Sequence, residues 1–421
     1  MLNRLRQIGP AIVVAAVVLG PGSITTSTKV GAAFGYDMLW LMVVLLALLI
    51  GVASLASWLG ATLEHSLCTE LSNRLGKWAG WIIGISFFLI VAGFQSSNNM
   101  AVIAGIEPLI GTGSKLPAVV VVAVLLAVNA LIIGILYLAK DLYKQVEKIM
   151  KVMVLLMIAA FVVNLFFAKP SLSGIFGGLV PDFSAFQNSE QLLILMGLIA
   201  TTFSVAGAFY QGYLVREKGW GPDKVKAGFF DSFLGMCVLV GVTSVVMMTS
   251  AATFYGKVTP AELSDAGKMS GQLREAFGSA ASWIFCFGFL AGAFSSFLVN
   301  AMIGGHVFSD GIGLGSSLQD KGTRHLTTSA LLVGMCIGIA SLVGGFDRTT
   351  TIVIAQASTV VGGPAVVAGL LYLGWRQFLK ESNKPPLWAL ILTSLAMIVT
   401  LSVAATTGKS VVAKIENTSA G

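Results

Sequence analysis

Eleven apolar runs divide this chain, near residues 10–34, 37–62, 78–105, 116–139, 147–168, 190–214, 227–254, 276–308, 325–345, 350–375 and 387–407. Each approaches or exceeds the roughly 20 residues a helix needs to cross a bilayer. Hydrocarbon offers no partner to a backbone amide, so a spanning segment must be a helix or part of a closed barrel. Runs of this length read as helices, and they are called spans 1 to 11 below. Only 11% of the 421 residues are charged and the mean hydropathy is +0.88, which excludes a water-soluble domain. The expected class is an all-α polytopic membrane protein, with residues 1–421 forming one integral unit.

The first run follows MLNRLRQIGP and has no small-residue cleavage site with a polar mature chain behind it. It reads as span 1 and not as a removable signal. Basic residues then set the orientation. Arg4 and Arg6, Arg74 and Lys77, the group from Lys140 to Lys151, the group from Arg216 to Lys226, Lys321 and Arg324, and the group from Arg376 to Lys384 all fall on one side. The opposite side holds the sparser Lys115, Lys169, Lys257, Lys268, Arg274, Arg348, Lys409 and Lys414. Lysine and arginine collect on cytoplasmic loops, so the N-terminus is expected inside and the C-terminus outside, in a bacterial inner membrane. The same rule accounts for the net charge of +7 without a nucleic-acid partner. Cys68, Cys237, Cys286 and Cys336 show no CxxC spacing and read as small core residues.

Span 1 is interrupted by Gly20-Pro21-Gly22-Ser23. Proline lacks the amide that continues a helix and glycine weakens one. Irregular backbone at membrane depth is tolerated where it is buried in protein or lines a cavity. Span 6 carries a second run of small and polar residues, Thr201 to Gly207. That run suits either a break or a small-residue packing seam. Spans 1 and 6 open two consecutive sets of five, and paired broken helices at matching positions point to an inverted-repeat transporter with its site at the midplane. Repeat 1 is expected over about 10–168 and repeat 2 over about 190–375, with an extra helix near 387–407. No Walker A, GxSxG or HExxH pattern occurs, so neither a primary pump nor a membrane hydrolase is indicated, and no enzymatic activity is expected.

Residues 20–40, GPGSITTSTKVGAAFGYDMLW, resemble the first helix of the NRAMP family of divalent-metal transporters, which share the LeuT-type fold. Pro21, Gly22, Thr26, Phe34, Gly35, Tyr36, Leu39 and Trp40 match that family's pattern without a gap. Ser295 and Ser296 match its helix-8 serine pair, and Gln356 with Pro364 repeats its helix-10 spacing. The resemblance covers spans 1 to 10 and implies a LeuT-type fold of two inverted five-helix repeats, with helices 1 and 6 broken.

The family's metal ligands do not carry over. Its helix-1 aspartate falls on Gly20 and its asparagine on Ser23. The helix-6 Met-Pro-His-Asn motif falls on Ser204, Val205, Ala206 and Gly207, and a second helix-6 histidine on Gln211. The acidic pair of helix 3 falls among Gln95, Asn98 and Asn99. A bare divalent ion needs several oxygen ligands, normally with a carboxylate, and softer metals prefer imidazole or sulfur. None of the usual transition-metal ligands is expected here, although a hydrated Mg²⁺ touched through its waters remains compatible with hydroxyls and amides.

Three further residue sets each admit two readings. Lys29 is either a fixed cation facing the outer vestibule or a lysine snorkelling to the outer interface. Asn98 and Asn99 either line the cavity or form interhelical hydrogen bonds. Ser295 and Ser296 either complete a Na⁺ site with span-1 carbonyls or carry no ion.

The function expected first is secondary transport of a small organic solute, a carboxylate or amino-acid-like compound, by alternating access. Half-helix N-termini at Gly20, Pro21, Gly22 and Ser23, and at Ser204 to Gly207, would present free amides to it. Thr26, Lys29, Asn98, Asn99, Gln211 and Gln356 complete the expected binding set. The alternative is metal-ion transport, for example of hydrated Mg²⁺, through an atypical site. A transport-inactive sensor is the third reading. No cofactor is expected beyond a possible Na⁺ coupling ion, and the partners are membrane lipid and the small-molecule or ion substrate of a monomer.

Overall fold

A computed structural model describes residues 11, 14, 15, 18–110, 115–138, 159, 161–187, 189–263, 265–346, 348–380 and 382–419. Among them nine segments are long and apolar enough to cross a membrane, and they coincide with spans 2 to 4 and 6 to 11 within a few residues. Most of span 5, part of the first half of span 1, Arg4, Arg6, the basic group 140–151 and Asp347 lie outside the described residues. The described regular structure is all helical.

Span 1 breaks as expected but slightly earlier. Residues 11, 14, 15 and 18 are helical, Leu19 and Gly20 are bent, and a new helix runs Pro21–Phe34. Proline sits at the first helical position, where its missing amide costs no hydrogen bond and its fixed φ suits the turn. Pro21, Gly22 and Ser23 are therefore the first turn of the second half, not the gap itself. This half ends at Gly35, whose φ of +59° favours glycine. The next turn anchors the connection before span 6: Ser171 N–H donates to Tyr36 Oη at 3.2 Å, and Trp40 N–H to the Gly178 carbonyl at 2.8 Å.

Span 6 divides into Ser189–Thr202 and Val205–Glu217, with only Phe203 and Ser204 between them. Here too the gap is shorter than the run of small residues, because Val205, Ala206 and Gly207 wind the first turn of the second half. Ser204 caps that turn by accepting from Gly207 N–H at 3.3 Å. Span 10, expected as one helix, is Arg348–Ser358 and Gly363–Lys380 joined by a tight turn over Thr359–Gly362. Pro364 explains it, since proline cannot donate to the residue one turn earlier.

Glycines decide which spans fuse. A Cβ on Gly60 of span 2 (Leu39–Thr62) would collide with the Gly212 carbonyl of span 6. One on Gly212 would lie 2.8 Å from the Ala56 carbonyl. Span 3 (Lys77–Ile106) and span 8 (Ala281–Ile312) meet likewise at Gly80 and Gly311, and at Gly304 against Val91. Small residues let membrane helices approach to backbone contact, where packing replaces the missing hydrophobic drive. A short helix, Leu67–Leu75, joins spans 2 and 3.

Candidate transport site

The two breaks face one another inside the protein. Thr26 Oγ1 lies 3.1 Å from Thr201 Oγ1, bridging the second half of span 1 to the first half of span 6. Ser23 Oγ lies 3.3 Å from Thr243 Oγ1 of span 7 (Val225–Phe254). Thr26 also donates to the Gly22 carbonyl at 2.9 Å and Ser27 to the Ser23 carbonyl at 2.6 Å. Gly20 and Pro21 to Ser23, Thr26, and Ser204 to Gly207 are all buried. Both second halves start here, so two helix N-termini with their partial positive charge converge on one level.

Gln356 completes the level from span 10. Its side chain occupies the space a Cβ on Gly22 would need, and its Nε2 donates to Ser97 Oγ of span 3 at 2.8 Å. The amide oxygen Oε1 is buried with no hydrogen-bond partner. A carbonyl oxygen only accepts, so this atom suits a water, an N–H group or a cation. Thr25 Oγ1 and Thr202 Oγ1, on either side of the breaks, are also buried and unpartnered.

The other expected residues divide. Asn99 donates to the Gln95 carbonyl at 2.8 Å and accepts from Asn129 of span 4 (Ala118–Leu138) at 2.8 Å. Asn98 donates to Gln95 Oε1 at 3.2 Å, while Gln95 Nε2 reaches the Phe297 carbonyl of span 8 at 2.7 Å. These amides bind spans 3, 4 and 8 together, as the interhelical reading holds. Gln211 turns to span 7, donating to Asp231 Oδ2 at 2.9 Å. The same oxygen accepts from Ala11 N–H at 2.8 Å. One buried carboxylate thus ties the first half of span 1 to the second half of span 6.

Lys29 is 5% exposed and donates to Thr349 Oγ1 of span 10 at 3.1 Å. Of the two expected readings, snorkelling to the interface does not describe this amine, which is held within the protein by a residue 320 positions away. Arg348, next to Thr349, pairs with Glu107 at 3.0 Å and joins the C-terminal end of span 3 to the N-terminal end of span 10. Span 8 abuts the first break, since a Cβ on Gly292 would stand 3.8 Å from Pro21 Cδ and 4.0 Å from the Leu19 carbonyl oxygen. Ser295, one turn on, donates to the Gly292 carbonyl at 3.0 Å, and Ser296 is buried. Among the described residues no group of three or more His, Cys, Asp or Glu could hold a metal ion.

Two broken helices meeting at a buried polar level are the arrangement of a LeuT-type fold. The profile for natural resistance-associated macrophage protein-like chains matches residues 11–408, and the chain belongs to this NRAMP family. It is 24% identical over 411 residues to the divalent metal cation transporter MntH of Nostoc sp., covering 94% of this chain and 88% of that one. With MntH of Mycobacterium tuberculosis it shares 23% identity over 379 residues, 87% of this chain and 82% of the other. The Eremococcus coleocola manganese transporter, in complex with an aromatic bis-isothiourea substituted compound, superposes with a TM-score of 0.76 at 17% identity, covering 98% and 87%. MhsT in complex with L-phenylalanine superposes at 0.60 with 16% identity, covering 94% and 98%.

Proposed function

We propose that this NRAMP-family transporter carries a divalent metal ion that keeps much of its water shell, by alternating access through the two breaks. The relatives' names as divalent metal cation transporters favour this reading over the organic solute expected first. The observation that carries it is the buried, unpartnered Oε1 of Gln356, whose carboxamide packs against Gly22 through Nε2 and Cδ; this acceptor needs a donor, which a coordinated water or an ammonium supplies and a lone carboxylate lacks. Magnesium sheds water reluctantly and is often held through it. Neutral oxygens at Gln356, Thr25, Thr202 and the ends of the broken helices would bind that shell. The missing carboxylate, imidazole and thioether would disfavour bare Mn²⁺ or Fe²⁺.

The test is stabilisation of purified protein by Mg²⁺, Mn²⁺, amino acids and small carboxylates. A ligand at 100 times its Kd adds about 2.7 kcal/mol when it binds only the folded form. Stabilisation by Mg²⁺ that is lost in Gln356→Ala supports the reading. Stabilisation by a carboxylate alone would replace it with the organic-solute reading, which the converging helix N-termini and the buried ammonium of Lys29 favour. Two inverted repeats over about 10–168 and 190–375, and a cytoplasmic N-terminus, belong to the same proposal.

A further inference from the structure

A cavity of about 910 Å³ lies at the end of the protein away from Arg74 and Arg216. It is enclosed by the end of span 3, the start of span 4, the connection from span 7 to span 8 and the start of span 10. Its volume is that of a small-molecule site. Four cations line it: Lys115, Lys268, Arg274 and Arg348. Its three carboxylates are already engaged. Glu107 Oε1 accepts from Arg348 Nη2 at 3.0 Å and from Leu116 N–H at 3.1 Å. Glu262 Oε1 accepts from the Thr259 N–H and hydroxyl at 3.2 and 2.8 Å, and Asp265 Oδ1 from Lys268 N–H at 2.9 Å. Lys115 and Arg274 are exposed and have no carboxylate partner among the described residues.

Two further features of this cavity favour an anion. Arg348 is 9% exposed, yet its buried Nε–H has no acceptor. A guanidinium only donates, so this group calls for an oxygen. Span 8 also opens on the cavity at Ala281, and no side chain caps that 32-residue helix. Its partial positive charge is therefore offered to the same space. We propose that the cavity binds a small polycarboxylate, a molecule with two or three separated carboxylate groups. The donors are spread over the starts of spans 4, 8 and 10 and the connection between spans 7 and 8, which suits separated anionic groups better than one compact oxyanion. Charge-assisted hydrogen bonds from lysine and arginine would hold them. This seat is separate from the Gln356 level and stands whichever cargo crosses there. Thr349, beside Arg348, donates to the Leu263 carbonyl of the cavity wall at 3.4 Å and accepts from Lys29 of span 1, so the wall rests on the second half of the broken helix.

Isothermal titration of the purified full chain with citrate, in metal-free buffer at constant ionic strength, tests the assignment. Saturable binding to the wild type is expected. Lys115→Gln and Arg274→Gln should each weaken it about ten-fold, the loss of one charge-assisted hydrogen bond. Both side chains are exposed, so both variants should keep the wild-type unfolding temperature. Lys380→Gln, an exposed lysine at the opposite end, should leave citrate affinity unchanged. No saturable citrate binding to the wild type would overturn the proposal. So would equal affinity in Lys115→Gln, Arg274→Gln and the wild type, or saturable binding of inorganic phosphate without citrate. With no metal present, the outcome is independent of the Mg²⁺ test.

Discussion

Gln356 packs its carboxamide onto the bare Cα of Gly22, so a residue in the first turn after the span-1 break is shaped to fit a side chain of span 10. The same carboxamide is held by Ser97 of span 3. Three spans therefore meet at one amide, and its free oxygen is the acceptor on which the proposed cargo depends.

Gly22→Ala should be costly, because the added methyl falls where the Gln356 amide lies. Overpacking of this kind destabilises by about 1–3 kcal/mol. Thermal unfolding should show the loss, and combining it with Gln356→Ala should restore much of the stability without restoring cargo binding. Equal stability of Gly22→Ala and the wild type would contradict the packing described.

Lys29 lies eight residues beyond Pro21 on a continuous helix, about 12 Å along its axis at 1.5 Å per residue. A cation at that distance opposes a dication to the extent that its own contacts leave its charge uncompensated. Lys29→Met should tighten Mg²⁺ binding in a titration of the folded, monodisperse protein. Weaker binding of a carboxylate in the same variant would point to an anionic cargo instead.

Sodium coupling is a separate proposal, resting on Ser295 and Ser296, which follow by one turn the Gly292 that abuts the break. Replacing both serines by alanine should abolish any sodium dependence of uptake while leaving folding intact. Uptake that is equally fast without sodium and without a pH gradient would identify a uniporter and end the idea.

The Glu107–Arg348 pair is about nine-tenths buried on both sides. Removing one member of such a pair typically costs about 3–5 kcal/mol, since the other charge stays behind unpaired. Glu107→Gln and Arg348→Met should each lower the unfolding temperature. The double variant should be more stable than the sum of the two losses allows, and strict additivity would contradict the coupling.

Much of this architecture was legible in the residues. Apolar runs located nine described spans, and Pro21 with its flanking glycines marked the first break to within two residues. The small and polar run from Thr201 marked the second, although the sequence equally allowed a packing seam. Pairings between distant residues were not legible. Nothing local tells Lys29 that it will meet Thr349, or tells Gln211 that Asp231 will take both its amide and that of Ala11. Asn99 looked as suited to a cavity as to the Asn129 contact it makes, because an amide serves both. The glycines that fuse spans 2 with 6 and 3 with 8 were hidden among 48 glycines. Only helix orientation distinguishes a close approach from an empty surface.

A hydrated divalent ion is proposed to cross through the Gln356 level. The most direct test is Mg²⁺ influx into proteoliposomes, followed with an enclosed indicator, for wild type and Gln356→Ala at matched reconstitution. Saturable Mg²⁺ influx in the wild type, several-fold slower in Gln356→Ala, is the result predicted. No Mg²⁺ influx above empty liposomes, with saturable uptake of a small carboxylate by the same vesicles, would contradict it.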